Sequence, residues 1–430
     1  MKKALLSLIM LAIMLLSLLS CTQTPELPYL TEQPETIIET KEKASYTYAP
    51  DVEDSANNSM NPAVLVLDDV PSSYDGGLYF QTSWMLYKLD KETGEMNEMC
   101  KDPLCKHNTK ACPFYGLHRE FGFYVYDNKI IYMRGRERSD LRGESNKILL
   151  YDIKNGSFGV LHEYPVDSNI LKVNHSFHGG EMYFHEKKIN PDYEKDQSLP
   201  RFSYAFTKVD LSTFEKTVLD ISDYQKVTVV GGDENKIYYI DLLNNKNICI
   251  ANNRNFDDVS VLIDDRSAHF FISNDRMFYV SSETGNLTSR KLDGSDKKDL
   301  GISDPYRIYI TDKYIYYRPK TGFTLTSAEH KKTVSVSVSN EIYRCTHDGK
   351  NVELIYQAYN GEPIKRGEVV YIPTSLYVFE GYFYSTFVEF SLKDDGTIGQ
   401  DSSRNSTGPY SYMRVNCNTG EMYIIEMPEI

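Results

Sequence analysis

Tyr306-Arg307-Ile308-Tyr309-Ile310, then Thr311-Asp312-Lys313, then Tyr314-Ile315-Tyr316-Tyr317: an alternating apolar run, a polar break and a second apolar run. The pattern predicts two antiparallel strands joined by a tight turn. After a longer connection, Glu341-Ile342-Tyr343-Arg344-Cys345 gives a third strand, and His347-Asp348-Gly349 turns the chain into a fourth, Val352-Glu353-Leu354-Ile355-Tyr356. Asp-Gly supplies the positive φ that such a hairpin needs. Residues 306–357 thus read as one four-stranded antiparallel unit.

Its second-strand phrase, an apolar residue beside one or two aromatics, recurs along the chain. It stands at Leu78-Tyr79-Phe80, Ile131-Tyr132, Met182-Tyr183-Phe184, Ile237-Tyr238-Tyr239, Met277-Phe278-Tyr279, Ile315-Tyr316-Tyr317 and Tyr382-Phe383-Tyr384. Most returns are roughly 40 to 55 residues apart, the period of a β-propeller blade. The fold class expected is therefore all-β, a β-propeller of seven four-stranded blades at residues 61–100, 118–164, 171–221, 226–264, 268–303, 306–357 and 369–427. Six or eight blades follow if an end unit is misread. Most of the 34 tyrosines sit at or near the repeat phrase, which assigns them to the core between blades rather than to a ligand platform.

Upstream of the repeats, Lys2 and Lys3 precede an uncharged apolar run from Ala4 to Leu19. Residues 1–21 read as a signal peptide, since the run is short for the roughly 20 residues of a spanning helix. The junction Leu18-Leu19-Ser20-Cys21 resembles the lipobox of bacterial lipoproteins. That resemblance implies acylation of Cys21 and a chain held on the extracytoplasmic face of a bacterial cell membrane. Residues 22–60, with Pro25, Pro28, Pro34 and Pro50 among polar and acidic residues, read as a flexible acidic tether. Residues 61–430 form the propeller domain. The net charge of −14 argues against nucleic acid as a partner and against electrostatic adhesion to anionic lipid.

Asn340-Glu341-Ile342-Tyr343-Arg344 with Asp348-Gly349, preceded by Ile315-Tyr316-Tyr317, resembles the repeats of YWTD-type and TolB-type propellers found in many uncharacterised bacterial lipoproteins. The YWTD tetrapeptide itself is replaced by Tyr316-Tyr317-Arg318-Pro319 and Tyr238-Tyr239-Ile240-Asp241. In a four-stranded meander, the connections between second and third strands emerge on the same face as those between blades. The insertions at 134–146, 186–202, 319–340 and about 389–409 are all of the first kind, and long loops on one face of a rigid scaffold are where binding concentrates.

The connection leaving the first blade holds Cys100, Cys105, His107 and Cys112, a C-x4-C-x-H-x4-C array spanning 13 residues and stiffened by Pro103 and Pro113. Three thiols and one imidazole make the tetrahedral set of a structural zinc. Exported cysteines also pair, so a disulfide among them is the competing reading, and free thiols a third. Similar lipoproteins carry a Cys…Asp-Pro-x-Cys-x-His…Cys-Pro segment that this loop resembles. Cys249, Cys345 and Cys417 fall on third strands as buried thiols.

No catalytic residue is assigned: the chain lacks G-x-S-x-G, H-E-x-x-H and P-loop patterns and sialidase Asp boxes. His175, His178, Glu181 and His185 offer a second metal reading, set against their place in an inner strand and its turn. Asp394-Asp395-Gly396 with Asp401 departs from calcium-loop spacing and reads as a solvated turn. The expectation is a membrane-anchored, non-enzymatic module that binds an extracytoplasmic protein or glycan, with ligand-binding residues unassigned. The alternatives are an envelope enzyme acting on polysaccharide or peptide, and a metal-sensing or metal-delivery lipoprotein.

Overall fold

The computed structural model describes residues 72–426 apart from stretches between strands, of which 106–111, 118–122, 135–146, 164–174, 220–226, 242–246 and 403–410 are the longest. The signal segment, Cys21, the tether and His107 lie outside the described residues. Within them there is no helix. The strands form seven four-stranded antiparallel sheets, each a meander, spanning 72–98, 123–163, 175–219, 227–263, 270–303, 305–357 and 377–426. This is the β-propeller read from the repeats.

Local chemistry makes each meander. The turns from first to second strand are Asp127-Asn128, Gly179-Gly180, Asn274-Asp275 and Glu380-Gly381 in four of the sheets, with positive φ at both positions. Two such residues give the turn whose twist matches the flanking strands. Between third and fourth strands, an Asp or Asn side chain gathers the turn. Asp152 Oδ1 accepts from the amides of Lys154 and Asn155, Asp210 does so from Ser212 and Thr213, and Asn416 from Asn418 and Thr419. Gly156 and Gly420 close two of these turns at positive φ, whereas Phe214 takes that conformation in the third sheet.

The second strands are buried on both faces, and the aromatic phrase packs sheet against sheet. Tyr124 stacks on Phe177 across the second and third sheets at 4.4 Å, and Tyr309 meets Tyr377 across the sixth and seventh at 5.1 Å. The ring closes the same way. Phe80 of the first sheet lies 4.6 Å from Tyr412 and 5.9 Å from Tyr384 of the seventh, and the Tyr412 hydroxyl donates to the Gln81 carbonyl at 3.4 Å. Every sheet takes its four strands from one continuous segment, so side-chain packing rather than a shared strand joins the ends. Fourth strands form the rim, where Val218, Val261, Leu354 and Tyr423 are exposed.

One boundary differs from the sequence reading. Val369–Pro373 does not open the last blade, which starts at Tyr377–Phe379. It pairs instead with Phe387–Leu392, itself paired with Ile398–Ser402, as a separate three-stranded sheet. The reason is energetic rather than local: Val370 and Ile372 find an apolar partner face on inserted strands, while Val378 and Phe379 already fill the blade core.

Candidate metal centre and the insertion-bearing face

The cysteine loop begins where the first sheet ends at Met96–Glu98. Asp102 bends it: its carboxylate accepts from the Leu104 amide at 2.9 Å, and its carbonyl accepts from the Cys105 amide at 3.1 Å. That turn returns Cys105 toward Cys100. The far end of the loop is fixed on the second sheet. The Tyr132 hydroxyl donates to the Pro113 carbonyl at 2.6 Å, and Arg134 Nη2 donates to the carbonyls of Cys112 and Pro113 at 3.0 and 3.1 Å. The Tyr151 hydroxyl holds the near end through the Met99 carbonyl at 3.0 Å. Phe114, fully buried, packs on the rings of Tyr132 and Tyr151.

The outcome is convergence: the sulfurs of Cys100, Cys105 and Cys112 all lie within 4.8 Å of one another. Tetrahedral zinc with bonds of about 2.3 Å spaces its sulfurs about 3.8 Å apart, so closing on an ion needs movements of about 1 Å or less. The donor set therefore fits a metal ion. Burial foremost pushes the thiols of Cys100 and Cys112 up, and backbone hydrogen bonds at Asp102 and Phe114 pull the other way. Cys112 is buried, and Cys100 and Cys105 are partly so. Among the described residues this is the one cluster with metal-ligand geometry. Cys249 and Cys345 are buried in the cores of other sheets, and Cys417, also buried, does not join the trio.

The other sequence candidates are engaged otherwise. His185 Nε2 lies 3.0 Å from the Val227 carbonyl and 2.8 Å from its amide, a contact that ties the third sheet to the fourth. His178 and Glu181 face each other across the hairpin register and, among the described residues, do not gather with a third ligand. The Asp395 carboxylate accepts from the Thr397 hydroxyl and amide in an exposed hairpin turn.

The insertions between second and third strands carry structure that the sequence did not announce. In the sixth sheet the insertion holds a hairpin, Phe323–Thr326 with Thr333–Val336; in the seventh it supplies two strands of the three-stranded sheet. The two share a core of Leu325, Tyr359, Ile364, Val370, Ile372 and Phe390. Ser327 donates to the Gly396 carbonyl at 2.9 Å, and Arg366 reaches Glu329 with two nitrogens. The insertions thus form one built layer. The cysteine loop belongs to the same side of the ring: Leu117 bridges Arg134, at the point where the second sheet sends out its own insertion.

No protein-family profile matches the chain, and no curated protein sequence does. Among solved structures it resembles one from an analysis of two prolyl endopeptidases, at 11% identity over 87% of this chain and 52% of that one, with a TM-score of 0.52. The chain spans about half the length of that protein. An oligogalacturonate lyase in complex with manganese aligns at 11% identity, covering 82% of this chain and 86% of that one, with a TM-score of 0.46. TolB from Acinetobacter baumannii aligns at 13% identity, covering 62% and 57%, with a TM-score of 0.36. That likeness is one of fold, and the fold is the β-propeller.

Proposed function

We propose that this chain is an extracytoplasmic lipoprotein, anchored to a bacterial membrane through acylated Cys21, whose propeller binds a protein or glycan through its insertion-bearing face. The single observation that carries this reading is the built layer of residues 323–336, 358–373 and 387–402, which has its own apolar core. Drift lengthens loops without packing them; a packed, hydrogen-bonded extension on a rigid scaffold is suited to recognition. The sulfur trio fits a structural zinc completed by His107, because its loop is fastened to the neighbouring sheet at both ends. Such fastening favours a permanent brace over metal delivery.

The test is retention of the purified full chain, in detergent, on immobilised envelope polysaccharide and on envelope protein fractions. Replacing residues 323–336 by a short turn should abolish retention while circular dichroism and the unfolding midpoint of the propeller persist. Retention unaffected by that replacement would sink the reading. Turnover of an envelope polysaccharide or peptide by the unaltered chain would favour the enzyme instead.

A further inference from the structure

Arg307 on the first strand of the sixth sheet and Arg318 on its second are direct cross-strand partners. Like charges directly opposite each other destabilise a sheet. Arg134 and Arg290 bond mainly carbonyl oxygens, but Arg276, Arg344 and Arg366 pair with the carboxylates of Asp296, Glu353 and Glu329. Arg307 and Arg318 have none. The titratable groups that act on them are Tyr306 and, on Arg318, Arg307.

Arg318 is 1% exposed. Its Nε donates to the Ser339 carbonyl at 2.7 Å and its Nη1 to the Pro373 carbonyl, while Nη2 has no hydrogen-bond partner. A buried guanidinium donor left empty is costly. Arg307 is half-buried and bound only loosely, with Nε 3.4 Å from the Thr374 carbonyl and Nη2 3.4 Å from the Tyr306 hydroxyl. The register shift between Pro305 and Arg307 bulges the strand at Tyr306, whose ring lies 4.3 Å from the Arg307 guanidinium and 5.8 Å from that of Arg318. Burial foremost lowers Arg318 to about 10, with Tyr306 opposing and Arg307 adding to the effect, so both groups stay cationic at neutral pH.

We infer that Arg307 presents an oxyanion site at the foot of the insertions, with the buried Arg318 guanidinium adding positive charge directly behind it, and that the site takes a carboxylate or phosphate group of the ligand. Guanidinium forks match both groups geometrically. The position is telling: Ser339 ends the sixth-sheet insertion and Pro373 ends the inserted strand before the seventh sheet, so the pair sits where layer and ring meet. The inference rests on the binding-face reading only for this location.

Calorimetric titration of the full chain with inorganic phosphate and, separately, with acetate tests it, at ionic strength held constant with chloride. Saturable binding of either ion, weakened at least tenfold in Arg307→Gln and partly kept in Arg307→Lys, is the expected result. Preference for phosphate or for acetate then names the group. Binding of neither ion, or equal binding by Arg307→Gln, would overturn it. A macromolecular ligand retained equally by Arg307→Gln and the parent chain would refute the oxyanion site while leaving the binding face intact.

Discussion

Phe80→Ala tests whether the ring is closed by side-chain contacts between the first and seventh sheets. Phe80 is fully buried against Tyr412 and Tyr384, side chains more than 300 residues away in the sequence. Removing a buried phenyl costs about 3–5 kcal/mol through lost transfer energy and the cavity left behind. Within that sum, each edge-to-face pair contributes about 0.5–1.5 kcal/mol beyond burial. Phe278 in the fifth sheet, equally buried and remote from the closure, is the control. Urea unfolding should place Phe80→Ala and Phe278→Ala within about 1 kcal/mol of each other, as both lie in the same destabilising class. A double-mutant cycle with Tyr412→Ala should return a coupling of about 0.5–1.5 kcal/mol for Phe80 and near zero for Phe278. A cost for Phe80→Ala below about 1 kcal/mol, where full burial demands several, would mean that the first and seventh sheets do not pack, and the closed ring would be refuted.

Three further outcomes follow. Gly349→Ala should destabilise by more than about 1 kcal/mol, since Gly349 has φ +77° and an added Cβ would meet the Leu300 carbonyl of the adjacent sheet at 2.3 Å; the urea midpoint measures it. Cys105→Ser should remove one bound zinc per chain by native mass spectrometry and lower the unfolding temperature, as a chelator should; a parent mass short by two hydrogens and indifferent to chelator would instead establish the disulfide. Burial foremost, with Lys216 beside it, lowers His162 to about 4 from an ordinary 6.5, so the unfolded chain binds the extra proton between those values. Stability from this group is full above about 6.5 and lost as pH falls toward 4, and His162→Gln should flatten the unfolding midpoint across that window.

The ring was legible because its determinants are local. Alternation, the aromatic phrase and turn residues such as Asp348-Gly349 each act within a few positions, and they placed the second to sixth sheets to within about five residues, while the described strands of the first begin at Ser72 and those of the seventh at Tyr377. The inserted layer was not legible because its strands come from three separated segments, and Val369-Val370-Tyr371-Ile372 alternates like any inner strand. Nothing in that run says which sheet it will join. The cysteine spacing marked a candidate centre, yet its fastening by Tyr132, Tyr151 and Arg134 was hidden, because two of these are repeat-type core aromatics that also reach the loop. Arg318 gave one signal, a charged residue closing an otherwise apolar second strand, and only the register set Arg307 opposite it.

The binding face is tested most directly by photo-crosslinking in living cells. A crosslinking residue at exposed Thr324 or Ser335, on the inserted hairpin, should capture a discrete partner, whereas one at Val261 on the outer rim or Asn274 at the opposite turn should capture none. Equal capture from Asn274, or none from either hairpin position, would contradict the account.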